Sequence, residues 1–183
     1  MNKLTNIIVG GATALFFSSC VSNLTSPNQA TSVPASVSSE ERSIGERIYS
    51  LVNEERVRAG KRAMRGHSGL NLLAQKHSDH MGSAFQDVNH FGSQNRAQYA
   101  YLKYSIENLS EMTYAVSSDS PDPAAETVEA WMSSASHHRH MLQSWHLTGI
   151  GVKTAADGNT YITMCVGAQP GGVPRSIQPV GWQ

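Results

Sequence analysis

Residues 149–167 read Gly-Ile-Gly-Val-Lys-Thr-Ala-Ala-Asp-Gly-Asn-Thr-Tyr-Ile-Thr-Met-Cys-Val-Gly. Apolar and β-branched residues flank Asp157-Gly158, a dipeptide suited to a tight turn. They predict two antiparallel strands, 149–154 and 159–167. The chain before this hairpin reads as helix. Ser38 with Glu41 forms a capping box, and Ile44, Ile48, Leu51 and Val52 recur at helical spacing until Ala59-Gly60 stops the run after Arg58. A second helix is predicted over 69–82, with Leu70, Leu73, His77 and Met81 on one side. A third opens at Asp122-Pro123, with aspartate at the cap, proline in the first turn, and Val128, Trp131 and Met132 as its apolar face. Residues 84–111 are loop-rich, with 96–103 a candidate helix and 105–112 a candidate short strand; 117–122 is a turn-rich loop. Helices and antiparallel strands segregated along the chain predict an α+β fold, with helices packed on a small sheet.

The 183 residues suffice for one domain with appendages. Lys and Arg total 14, as do Asp and Glu, so no basic excess exists to neutralise nucleic-acid phosphates. Met1-Asn2-Lys3, the apolar stretch 4–17 and Phe17-Ser18-Ser19-Cys20 read as a lipoprotein signal peptide over 1–19, too short to span a bilayer well. Cys20 is then the lipidated N-terminus; the alternative is an ordinary signal peptide in which Cys20 plays no part. Residues 20–39, rich in Ser, Thr, Pro, Asn and Gln, are expected to be a disordered tether. The folded domain is expected over 40–168, and the Gly- and Pro-rich residues 169–183 as an irregular tail. With Cys20 acylated, Cys165 stays free; in an apolar strand it reads as core.

Residues 131–142, Trp-Met-Ser-Ser-Ala-Ser-His-His-Arg-His-Met-Leu, place three of the eight histidines within four positions. Imidazole is the side chain most readily recruited as metal ligand or proton carrier near neutral pH. Trp131 reads as core, His138 and Arg139 as solvated, and His140 as a cap or loop brace. His77 and His80 read as core or surface residues of the second helix, and Glu54 and Arg56 as a bracing pair.

Five segments in order carry a resemblance. Leu51-Val52-Asn53-Glu54-Glu55-Arg56 with Ala59-Gly60, His77-Ser78-Asp79-His80-Met81, Asn89-His90-Phe91, Glu107-Asn108, and Trp131–His137 followed by Ile150-Gly151-Val152 resemble the CAP superfamily. That group holds cysteine-rich secretory proteins, antigen 5, pathogenesis-related 1 proteins and bacterial SCP-like extracellular proteins. The resemblance implies a three-layer α-β-α sandwich with a small antiparallel sheet. It also implies a cleft in which two histidines and two glutamates can hold a divalent metal, here matched by His90, Glu107 and His137. Ser134 stands where the second glutamate belongs, and Glu126 and Glu129 lie earlier on the same helix. Ile106 replaces a glycine, and Ala135-Ser136 replace Pro-Gly.

Two imidazoles and one carboxylate suit zinc with room for water. A zinc-bound water also wants a positioned general base, and the missing glutamate is where that base would stand. No His-Glu-x-x-His pair or Gly-x-Ser-x-Gly elbow occurs. The leading expectation is therefore an exported, non-enzymatic CAP-domain lipoprotein. It would be anchored to the cell membrane or outer membrane and bind a hydrophobic small molecule, a cell-envelope component or a protein partner. The alternative is a metal-dependent, peptidase-like hydrolase using Glu107 and His137; the third reading of the trio is a polar group that braces loops.

Overall fold

The structure, a computed structural model, describes residues 37–85 and 87–169. The signal peptide, Cys20 and most of the tether, and the tail after Gln169, lie outside the described residues. The elements run α1 (Ser39–Arg58), β1 (Arg65–Gly66), α2 (Ser68–His80) with a π-turn (Met81–Phe85), α3 (Ser93–Tyr104), β2 (Asn108–Val116), α4 (Pro123–Ser133), α5 (Ala135–Met141), β3 (Leu147–Thr154) and β4 (Thr160–Ala168). The strands form one sheet in the order β1-β3-β4-β2.

The predicted caps are made. Ser38 Oγ accepts from the Glu41 N–H while Glu41 Oε2 accepts from the Ser38 N–H at 2.8 Å. Asp122 Oδ1 accepts from the Ala125 N–H, and Pro123 fills the first turn of α4. The hairpin turns at Asp157-Gly158, where Gly158 adopts φ +86°, a conformation glycine reaches without a side-chain clash.

Alternation in the strands sorts side chains into two layers. From β4, Ile162, Met164, Val166 and Ala168 pack with Ile44, Ile48 and Val52 of α1 and with Val128 and Trp131 of α4. Its odd-numbered Cys165 packs with Leu70, Leu73 and Ala74 of α2, Ala100 of α3, and Ile106. Every residue of β4 is buried, as a central strand covered on both faces should be. Cys165 lies in this core, as its apolar strand implied.

The sheet is mixed where a small antiparallel sheet was expected. β2, β4 and β3 pair antiparallel, but β1 runs parallel to β3, opposite Leu147 and Thr148. Two residues have no periodicity to read, so only the fold reveals β1. The other strand, β2, reaches Val116 and is longer than the 105–112 expected; α3 starts at Ser93, three residues early, because Gly92 takes φ +76° at its N-cap.

Beyond β1, the edge of β3 would present bare N–H groups. Helix side chains take them instead. Asn71 Oδ1 accepts from the Ile150 N–H at 3.0 Å, Gln75 Oε1 from the Val152 N–H at 3.1 Å, and Glu41 Oε1 from the Thr154 N–H at 2.9 Å. This cover closes an edge that would otherwise template pairing with another chain.

Glu41 is buried, and burial works to raise its pKa. Hydrogen bonds from Ser38 and Thr154 and the charge of Lys153 outweigh that, and the carboxyl sits below its ordinary value of 4.5. A depressed folded-state pKa contributes stability that is complete above the unfolded value and is lost as pH falls through the folded one. Melting temperature followed from about pH 6 to about pH 3 should therefore fall more steeply for the native chain than for Glu41→Gln. Glutamine keeps the capping geometry but carries no proton-linked charge. Parallel slopes would show that Glu41 does not drive the acid limb.

Arg56 corrects an expectation. It does not brace against Glu54, which is exposed. It is 1% exposed, and its guanidinium donates to the carbonyls of Arg62, Met141, Gln143 and Trp145, tying the end of α1 to the bend after α5.

Candidate functional site

The histidines of α2, of the loop 87–92 and of α5 stand within electrostatic reach of one another, in one chain of neighbours. Helical spacing on α2 puts His77 and His80 on adjoining positions, their rings 6.5 Å apart. Asn89 shapes the following loop: its Oδ1 accepts from the Phe91 N–H at 2.9 Å, and its carbonyl accepts from His77 Nε2 at 2.8 Å. Phe91, 69% exposed, stacks on His80 at 5.7 Å. Gly92 then turns the chain into α3, which places Arg96 one turn in.

Arg96 meets Glu111 of β2. Nε and Nη2 donate to Oε1 and Oε2 at 2.5 and 2.8 Å, and Nη1 donates to the Phe91 carbonyl at 2.8 Å. Glu111 is 3% exposed. Burial would raise its pKa, but His90 and Arg96 hold the charged form and His77 adds to them, bringing the carboxyl down to about 2. His90 Nδ1 lies 3.8 Å from Glu111 Oε2. Cys165 Sγ approaches the same carboxylate from the core at 3.9 Å, and burial, followed by that negative charge, pushes the thiol well above its ordinary pKa.

On the other side, Ser134 ends α4 and caps α5, its Oγ accepting from the His137 N–H at 3.5 Å. Partial burial lowers the His137 pKa, and the charge of His90 adds to it, so the two histidines are electrostatic neighbours. Burial and then His137 bring His140 down to about 4. Its ring packs 5.2 Å from Trp145, whose Nε1 donates to the His140 carbonyl at 2.9 Å. That is a loop brace, as its position suggested. His138 is half-buried and Arg139 exposed; Trp131 is core and His77 1% exposed.

The three residues expected to hold a metal are thus placed unequally. His90 and His137 lie close enough for the charge of one to act on the other. Glu107 is exposed, and its N–H extends the ladder to the Ala168 carbonyl at 3.1 Å. The carboxylate beside His90 belongs to Glu111, four residues on. Glu126 is half-buried and Glu129 exposed on α4, and Ser134 serves as a cap. Among the described residues no three His, Cys, Asp or Glu side chains gather at metal-binding spacing. The one buried carboxylate here already gives both oxygens to a guanidinium. As arranged, this donor set does not fit a divalent ion.

Sequence reasoning missed Glu111 and Arg96. A signal existed: an acidic residue inside an apolar strand must find a cation if it is buried. Alternation from Leu109 puts Glu111 on the α2 face, where only a partner from a neighbouring helix could serve.

A mixed sheet between an α1/α4 layer and an α2/α3 layer, with histidines converging from the loop before α3 and from the helix after α4, defines an SCP-like domain. The chain belongs to the CAP family, described as the cysteine-rich secretory protein family, which matches residues 49–166. Among solved structures it is similar to an outer surface protein from Borrelia burgdorferi, with a TM-score of 0.58 and 18% identity over 72% of this chain and 94% of that one. It is also similar to an extracellular protein containing an SCP domain from Bacillus anthracis, with a TM-score of 0.59 and 18% identity over 70% of this chain and 41% of that one. At such identities the likeness is one of fold. No curated protein sequence matches significantly.

Proposed function

We propose that the chain is an extracytoplasmic CAP-domain lipoprotein, tethered through Cys20, that binds a ligand or partner without turning it over. The observation that carries this reading is the state of Glu111. A general base must be free to take a proton and works best with a pKa near the operating pH. Glu111 is held at about 2 and gives both oxygens to Arg96. Exposed Phe91 on His80, together with exposed Tyr99, Tyr101 and Leu102 of α3, supplies apolar surface that suits a hydrophobic small molecule, a cell-envelope component or a protein partner. The two structural relatives, an outer surface protein and an extracellular protein, agree with an exported domain. Among the described residues no helix is long and apolar enough to cross a membrane; the anchor in this reading is acylated Cys20.

Fractionation and crosslinking in intact cells test the reading together. The native chain should sediment with membranes and Cys20→Ala should appear in the soluble fraction. The same Cys20→Ala chain, purified, should show saturable binding that survives Glu107→Gln. Recovery of Cys20→Ala with the membranes sinks the anchor, and absence of any crosslinked partner or ligand sinks the binding role. The metal-dependent hydrolase with His90, Glu107 and His137 as ligands predicts the opposite: zinc-restored turnover that collapses in His137→Ala.

A further inference from the structure

We propose that Arg96 is the built-in cation of this cleft: it takes the place at Glu111 that a divalent ion would otherwise occupy, and by the same contact it positions the His90 loop. The inference concerns how the cleft is charged and holds whatever the domain binds.

All three guanidinium nitrogens are committed, two to the Glu111 oxygens and one to the carbonyl of Phe91, the residue next to His90. Arg96 is therefore a strut between β2 and the loop. An arginine paired with a buried glutamate is ordinary in itself. The surrounding imidazoles are what set this pair apart. His90 Nδ1 stands 3.8 Å from Glu111 Oε2, within the roughly 4 Å that two metal bonds of about 2 Å can span. His77 is 1% exposed and must carry its proton on Nε2, because that atom meets the Asn89 carbonyl. Its Nδ1 lone pair is buried without a hydrogen-bond partner. An imidazole held by a backbone carbonyl through one nitrogen, with the other bare, is how a metal-binding histidine is oriented. His77 and His90 both feel the Glu111 and Arg96 neighbourhood. Glu111 thus has one imidazole, His90, at metal-bridging distance and a second, His77, within electrostatic reach, around a positive charge covalently attached to α3. A guanidinium both consumes the carboxylate lone pairs and repels a divalent ion.

The full-length native chain and Arg96→Met should be titrated with cobalt(II) alone, followed by its visible absorption, and melted with and without zinc. The native chain should show no cobalt signal that depends on Glu111. Arg96→Met should bind cobalt at least about 100-fold more tightly, since a unit charge in contact with the site is removed. It should also melt higher with zinc. Adding Glu111→Gln or His90→Ala to Arg96→Met should abolish the gain, which separates this centre from surface histidines. Arg96→Lys keeps a cation and should keep the metal out. The proposal is overturned if Arg96→Met gains no cobalt affinity, or if the native chain binds cobalt through Glu111. Should Arg96→Met fail to fold in buffer, refolding in zinc decides: recovery supports the proposal, and failure while Arg96→Lys folds overturns it.

Discussion

Gly151→Ala should remove more than about 4 kcal/mol of stability, a large share of the roughly 5–15 kcal/mol a domain possesses. Gly149 and Gly151 lie on the face of β3 that receives α2, two residues apart as one face of a strand requires. A Cβ on Gly151 would fall closer than 3.0 Å to backbone atoms of Ala74 and Gln75, and one on Gly149 would meet the backbone of Leu70 and Asn71. Flexible side chains could yield; a helix backbone cannot, because Asn71, Gln75 and Ser78 all bond to β3 and fix its height above the sheet. Overpacked cores usually lose about 1–3 kcal/mol, but there the intruding methyl meets movable atoms. Gly45 is the internal control. It stands inside α1, and its Cβ would touch Val152 and Ile150 at 3.6 and 3.7 Å, ordinary contact distances. Gly45→Ala should therefore stabilise by up to about 1 kcal/mol through helix propensity. Urea unfolding of both variants checks the pair, and similar midpoints would refute the contact argument.

Arg56→Met is the second large loss, about 3 kcal/mol or more. Methionine fills similar volume, so the cost isolates hydrogen bonding. Four carbonyls would lose their charged donor, and an unsatisfied buried acceptor costs about 1–3 kcal/mol. Arg56→Lys should recover little, since one ammonium cannot reach Arg62, Met141, Gln143 and Trp145 together with the geometry of a fork. Burial without any carboxylate lowers the Arg56 pKa, so the site relies on carbonyl dipoles alone. Thermal unfolding reads the loss directly. The change should also disturb α5, because Arg56 grips the carbonyls that follow His137 and His140. A loss below about 1 kcal/mol would mean that water replaces the guanidinium.

Local rules carried the fold a long way. The capping box at Ser38, the Asp122-Pro123 start and the Asp157-Gly158 turn are all interactions between residues close in sequence, so each could be read without knowing the rest. The alternating β4 and the apolar stripe of α1 followed from periodicity. The histidine positions were legible too, since His90 and His137 are recognisable in their short motifs. Their carboxylate partner was not. Glu107 stands just before β2 and Glu111 four residues on, so alternation gives them the same side, and only where α3 packs along β2 decides which is buried. Arg56 was misassigned because three of its four partners lie more than eighty positions away, and all four are carbonyls that carry no side-chain signature.

The amino-acid sequence by itself determined α1, α2, α4, the β3–β4 hairpin and the α+β class, because capping, turns and side-chain periodicity act within a few residues. The tertiary structure alone decided that β1 adds a parallel edge, that α2 lies directly on two glycines, and that Glu111 meets Arg96 beside His90. Those are long-range pairings, set by which surfaces come to share one low-dielectric space when the layers close, and buried charge must then be neutralised by whatever the fold brings within reach.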